Sequence, residues 1–253
     1  MLLRVLLSMF IVFSLNAIAQ NKKVNVSYIT EEIKLDAVLN EASWYKKKPA
    51  TDFWQYFSTD TLKAINQTEI TMLFDDHNLY LGIKVYSSGN NYIIPSLKRD
   101  FRAGGSDNIT LLFDTYNDGS NAFLFGINPE GVMREALVSG GGKELRGFTT
   151  SWDTKWESVT KQYDDYYISE WAIPLAAFKY KEGEIRWRFN SYMFDTQGNE
   201  RTTWIQIPQN QFIFNLAFMD DMVFEKPLGK SKTPISIIPY INTIAVNDYE
   251  ENK

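Results

Sequence analysis

The sequence contains no cysteine and a single histidine among its 253 residues. Without thiols there can be no disulfide framework, thiolate zinc site, iron–sulfur cluster or cysteine nucleophile. One histidine cannot build a multi-histidine metal centre. Positive charge is also short: 26 Lys and Arg stand against 31 Asp and Glu, a net charge of −5. A nucleic-acid footprint needs a basic surplus, so that partner is excluded. Beyond the first twenty residues there is no long apolar run, low-complexity tract or fixed-period repeat. Aromatic residues, by contrast, are abundant, with 7 Trp, 14 Tyr and 17 Phe. Large rings suit pleated, half-buried surfaces and also stack on flat apolar ligand faces.

The first residues form a separate unit. Arg4 supplies a positive start, Val5 to Leu15 an apolar stretch, and Ala17-Ile18-Ala19 a small-x-small cleavage signal. Residues 1–19 are expected to be a secretory signal peptide, because the apolar stretch is too short to span a bilayer. No cysteine is present to carry a lipid anchor. The mature chain would keep 25 basic against 31 acidic residues. Export without disulfides points to a bacterial cell envelope, either the periplasm or the outer membrane and cell surface.

Short alternating runs separated by turn residues recur along the rest of the chain. They predict strands at Thr68–Asp75, Leu79–Tyr86, Ile109–Asp114, Ala122–Asn128, Val132–Val138, Lys155–Lys161, Tyr167–Ile173, Ile185–Phe194, Thr202–Ile207 and Leu216–Phe224. The nearly continuous apolar run at Ile109–Asp114 suits a strand buried on both faces. In Ile185–Phe194, Trp187, Phe189, Ser191 and Met193 share one face, and Arg186, Arg188, Asn190, Tyr192 and Phe194 the other. Helix is expected only near Asn40–Lys47 and for one turn at Pro174–Phe178. The predicted class is all-β: a two-sheet antiparallel β-sandwich, jelly-roll-like, with one or two short helices. Residues 20–32 read as an N-terminal extension and 33–229 as the sandwich. Residues 230–253 read as a linker and the opening of a further strand-rich region.

Several local patterns occur in the order of a known family. They are Ile33-Lys34-Leu35-Asp36 with Leu39-Asn40-Glu41-Ala42-Ser43-Trp44, Phe74-Asp75-Asp76-His77-Asn78-Leu79-Tyr80, and Ser106-Asp107-Asn108 leading into Leu112-Phe113-Asp114. Phe125-Gly126-Ile127-Asn128-Pro129-Glu130-Gly131, Trp152-Asp153 with Trp156-Glu157, Glu170-Trp171-Ala172-Ile173-Pro174 and Trp187-Arg188-Phe189-Asn190 follow. The series resembles the family 9 carbohydrate-binding module, in particular the version at the N-terminus of Bacteroidetes outer-membrane barrel proteins. The resemblance implies a β-sandwich that binds an oligo- or polysaccharide without cleaving it. It also implies that residues 235–246 begin a C-terminal outer-membrane barrel. Family members that bind sugar clamp it between two tryptophans. Trp204 falls at the second of these positions, whereas Arg102-Ala103-Gly104-Gly105 occupies the first. Gly126 stands where the family places an arginine.

The candidate ligand residues are Trp204, as a stacking platform, with Arg201, Asn128 and Asp107 as polar partners. An aromatic face desolvates the C–H patch of a pyranose while nearby polar groups bond its hydroxyls. The competing reading of Trp204 is a packed strand residue. Asp114 and Asp118 are candidates for a structural calcium ion, since hard cations take oxygen ligands from acidic loops; an ordinary Asp–Gly turn is the alternative. No other cofactor is expected. No carboxylate pair lies in a recognisable acid/base motif, so a glycoside hydrolase is the weaker alternative. A structural domain docking on its own barrel or an envelope partner is the other.

Overall fold

The computed structural model describes residues 22–231. The signal-peptide and barrel expectations therefore lie outside the described residues. Thirteen strands are hydrogen-bonded together, eleven along one path and two branching from it, and the path doubles over into two layers. They are β1 (Lys23–Tyr28), β2 (Trp54–Phe57), β3 (Thr68–Phe74), β4 (Asn78–Tyr86), β5 (Asn108–Asp114), β6 (Ala122–Ile127) and β7 (Met133–Val138). The rest are β8 (Phe148–Thr149), β9 (Glu157–Gln162), β10 (Tyr166–Pro174), β11 (Arg186–Asp195), β12 (Glu200–Thr203) and β13 (Asp220–Phe224). The order is β8-β7-β6-β5-β11-β13-β1-β3-β4-β10-β9, with β12 on β11 and β2 on β12. The sandwich expected from the strand pattern is present, with two amendments. The chain is not wholly antiparallel, because β1 runs parallel to both of its neighbours, β13 and β3. The helices are single 3₁₀ turns, including Ala42–Tyr45 and Leu175–Ala177.

The N-terminal boundary also moves. The stretch expected to be an extension supplies β1, whose Val24 and Val26 are buried in the core. Parallel pairing joins strands distant in sequence, so no hairpin turn marks it.

The layers are held together by rings. Phe125 on β6 packs edge-on against Trp156 at 5.4 Å between centroids, and Trp156 contacts Trp171 on β10 at 5.0 Å. On the hydrogen-bonded path β6 and β10 lie near opposite ends, so their meeting requires the two layers to face each other. Phe178 and Trp187 extend the cluster at 5.0 Å, and Trp187 reaches Phe224 at 4.9 Å. Strand β5 is buried along its whole length, as its apolar run predicts. A second cluster lies on the outside of the β7-β6-β5-β11 layer. There Ile213, Phe214, Leu216 and Met219 of the segment after β12 cover Leu112, Leu124, Ala136 and Tyr192.

Buried carboxylates anchor the loops. Glu170 Oε2 accepts the backbone N–H groups of Asp36 and Ala37 at 2.8 and 2.5 Å. Glu200 accepts from Ile65 N at 3.1 Å. Glu135 binds Arg99 and Trp156 Nε1 at 2.5 and 3.3 Å. Loss of hydration raises the pKa of each of these groups, and also that of Asp107, above the ordinary carboxylate value.

Two predictions follow from this framework. Phe125→Ala should cost about 3–5 kcal/mol, because it opens a cavity at the junction of the layers; chemical denaturation would measure it. For the carboxylates, a raised folded-state pKa means that the native state binds the proton more tightly than the unfolded chain. Their contribution to stability therefore grows as pH falls from neutral towards the raised values, and is complete below the ordinary carboxylate value. The melting temperature should rise on mild acidification, and Glu170→Gln should flatten that rise.

Candidate functional site

Strand alternation decides which predicted residues can meet a ligand. On β12 and just beyond it, Arg201 and Thr203 point outwards, while Thr202 and Trp204 point inwards. Trp204 is only 2% exposed, belongs to the central core and packs against Phe189 at 5.3 Å. Its indole is therefore a core ring and offers no open platform, which corrects the stacking role expected for it. Lys22 seals its edge by donating to the Trp204 carbonyl at 2.9 Å and to that of Asp52 at 2.6 Å. Burial lowers the Lys22 pKa to about 8.

The other predicted residues separate. Asp107 is buried, accepting from Ile93 N and Thr196 N at 2.5 and 2.6 Å and from Thr196 Oγ1 at 2.7 Å. It ties the loop before β5 to the β11–β12 turn. Asn128 is buried too, and its Oδ1 caps the turn through Glu130 N and Val132 N, both at 3.0 Å. Asp114 spends its carboxylate on Asp118 N and Gly119 N, at 3.4 and 2.8 Å, and Asp118 accepts from Ser120 N at 2.8 Å. The conformational reading of this Asp–Gly turn accounts for both residues. Among the described residues no cluster of three or more His, Cys, Asp or Glu side chains gathers. His77 is exposed in its hairpin turn.

Arg201 is the predicted residue that the fold leaves available. It is exposed, with its guanidinium bracketed by Phe57 at 5.2 Å and Phe194 at 5.0 Å. Neighbouring rings hold the planar cation by cation–π attraction. Among the described residues it makes no hydrogen bond or ion pair, so its donors are unspent.

From this corner a single row of outward residues crosses five strands. The register aligns Thr203 with Tyr192, Tyr192 with Thr110, Thr110 with Gly126 and Gly126 with Arg134. At a strand spacing of about 4.8 Å the row is roughly 19 Å long. All five residues of the row are buried; the segment after β12 packs beside Tyr192, and the loop before β5 is tied to the sheet by a bond from Asn108 Nδ2 to the Ala103 carbonyl at 3.1 Å. Gly126 is needed here, since a Cβ would lie 2.7 Å from Thr110 Oγ1 and 3.0 Å from Arg134 Cγ. The missing side chain lets the stem of Arg134 fold across β6. Sequence reasoning missed Arg134, Phe57, Phe101, Phe148 and Phe194. In Met133–Val138 both alternating faces carry one charged residue, Arg134 or Glu135, so the pattern did not identify an outer face.

No family model and no curated protein matches the sequence. Solved structures do match. One is a family 9 carbohydrate-binding module from Caldicellulosiruptor kristjanssonii in complex with cellotriose: TM-score 0.55, 16% identity, covering 86% of this chain and 100% of that one. The same organism's module in complex with glucose gives a TM-score of 0.53 at 16% identity, with the same coverage. A candidate carbohydrate-binding protein from Bacteroides uniformis ATCC 8492 gives 0.62 at 13% identity, covering 81% of this chain and 100% of that one. At these identities the likeness establishes architecture, and the described residues have the fold of the family 9 carbohydrate-binding modules.

Proposed function

We propose that this domain is a non-catalytic carbohydrate-binding module, and that the saccharide binds at the exposed Arg201 corner of the outer face of the β7-β6-β5-β11-β12-β2 layer rather than on Trp204. The observation that carries the reading is Arg201: an exposed guanidinium with phenyl rings at 5.2 and 5.0 Å and no hydrogen bond or ion pair among the described residues. A planar cation flanked by rings combines apolar area with a fork of N–H donors, which is what a sugar's mixed C–H and hydroxyl surface requires. The fold shared with modules solved with cellotriose and with glucose supports the same reading. Glycoside hydrolysis is disfavoured because the carboxylates with raised pKa, the natural candidates for a general acid, serve as loop anchors inside the fold. In this reading, the leader pattern of residues 1–19 and the strand-like sequence at 235–246 support an exported envelope protein with a C-terminal barrel.

Calorimetric titration against a panel of soluble oligosaccharides tests the proposal. Binding should be found, and Arg201→Ala or Phe57→Ala should weaken it at least tenfold, about 1.4 kcal/mol. Trp204→Phe should lower stability yet leave affinity within a factor of two. Silence across the panel would reject saccharide binding at this face.

A further inference from the structure

The far end of the outward row holds a second bracketed arginine. Arg134 on β7 lies between Phe101 and Phe148, its guanidinium carbon 5.6 Å from each ring centroid. Unlike Arg201 it is enclosed, with only 5% of the residue exposed, and its Nη1 is buried with no hydrogen-bond partner. Among the described residues it has no acid partner either. The nearest candidate is used elsewhere: Glu135, the next residue, faces the core and is committed to Arg99 and Trp156.

Such an arrangement is costly. A guanidinium does not lose its proton in a protein, so burial cannot neutralise it. A buried charge is normally paired, and replacing an unpaired one with a neutral group usually stabilises a fold. Among the other buried side-chain atoms without a partner, which occur throughout the fold, two lie at or beside this row. They are Thr203 Oγ1, at the other end of the row, and Asn128 Nδ2, two residues beyond Gly126. Arg134 Nη1 and Asn128 Nδ2 are donors, and the Thr203 hydroxyl can donate or accept. Asp100, the acid beside Phe101, accepts the backbone N–H of Glu135 at 3.2 Å. Arg102, beside Phe101, is exposed and has no ion pair among the described residues, as is also true of Arg201.

We infer that Arg134 is a specificity-determining residue for a carboxylate-bearing saccharide, a uronic acid unit, whose carboxylate supplies the acceptor that this guanidinium lacks. The inference rests on the carbohydrate-binding reading and names the substrate class for the same face. A carboxylate meets a guanidinium fork through two parallel hydrogen bonds, which a hydroxyl pair matches less strongly. Arg102, beside Phe101, adds positive charge at this end of the row even though the chain as a whole is acidic.

The test is calorimetric titration of the full mature chain with oligogalacturonate and oligoglucuronate, alongside neutral cello-oligosaccharides of equal length. The acidic sugars should bind at least tenfold more tightly, and the preference should weaken as salt is raised. Arg134→Gln should abolish the preference while holding or raising the melting temperature by a few degrees, the signature of a residue kept for binding at a cost in stability. Arg134→Lys, which keeps the charge without the fork, should recover only part of the preference. Equal affinity for acidic and neutral sugars would overturn the inference and leave saccharide binding intact. An Arg134→Gln protein that melts lower and keeps the preference would assign Arg134 a packing role. Absence of binding to every sugar would remove both this inference and the reading beneath it.

Discussion

The constraint on which this molecule depends is the two-residue period of its strands, applied to a core made largely of rings. Every strand of the β7-β6-β5-β11 layer sends alternate side chains inwards, where Phe113, Phe125, Phe189 and Trp187 join one aromatic cluster. Edge-on ring pairs contribute about 0.5–1.5 kcal/mol each beyond the area they bury. Because the contact from Phe125 through Trp156 to Trp171 joins strands near opposite ends of the hydrogen-bonded path, packing rather than backbone pairing sets how the two layers face each other. With no disulfide available, that packing has no covalent substitute.

The same period sets what is left outside. Once Phe189, Ser191 and Met193 point inwards, Asn190, Tyr192 and Phe194 must point out, and the register carries that choice to β5, β6, β7 and β12. Arg134, Thr110 and Arg201 are therefore placed by the demands of the core on their neighbours. The buried carboxylates act at a further level. Asp107, Glu170 and Glu200 each gather backbone N–H groups from segments outside the regular ladders, satisfying amides that packing alone would leave unpaired.

Most of the strands could be read in the sequence, because hairpin strands carry both an alternating pattern and a turn. The predicted bounds of β3 to β7 and β9 to β11 agree with the structure to within about two residues, and the two faces of β11 were assigned correctly. Strand β1 lacks such a marker: its partners are β3 and β13, the latter almost two hundred residues away. Strand β2 is four residues long and pairs with a strand displaced by a bulge. The site was less legible. Arg201 could be identified as polar and close to the right position, but Trp204 was assigned a ligand when its parity places it against Phe189. An indole that serves the core and one that serves a sugar have the same letter, and only the register of β12 against β11 separates them. Arg134 gave no signal at all, because a charged residue in a short strand is usually a solvated one.

The distribution of charge on the outer face argues that the face serves something other than stability. A folded chain in water needs no unpaired guanidinium beneath two phenyl rings, and methionine or leucine would fill the same space without the desolvation cost. Nor does this chain lack acids with which to pair its arginines, since its acidic residues outnumber the basic ones. Arg99 obtains Glu135 within the layer, and Arg186 finds Asp221 across the β11–β13 pair at 3.5 Å. Arg134 and Arg201 lie on the same sheet face, each bracketed by phenyl rings and each without an acid. Absence of an acid is shared with Arg102 and Arg188, so what sets these two apart is the pair of phenyl rings near each. A guanidinium flanked by two rings and left without an acid is the arrangement on which the saccharide proposal rests.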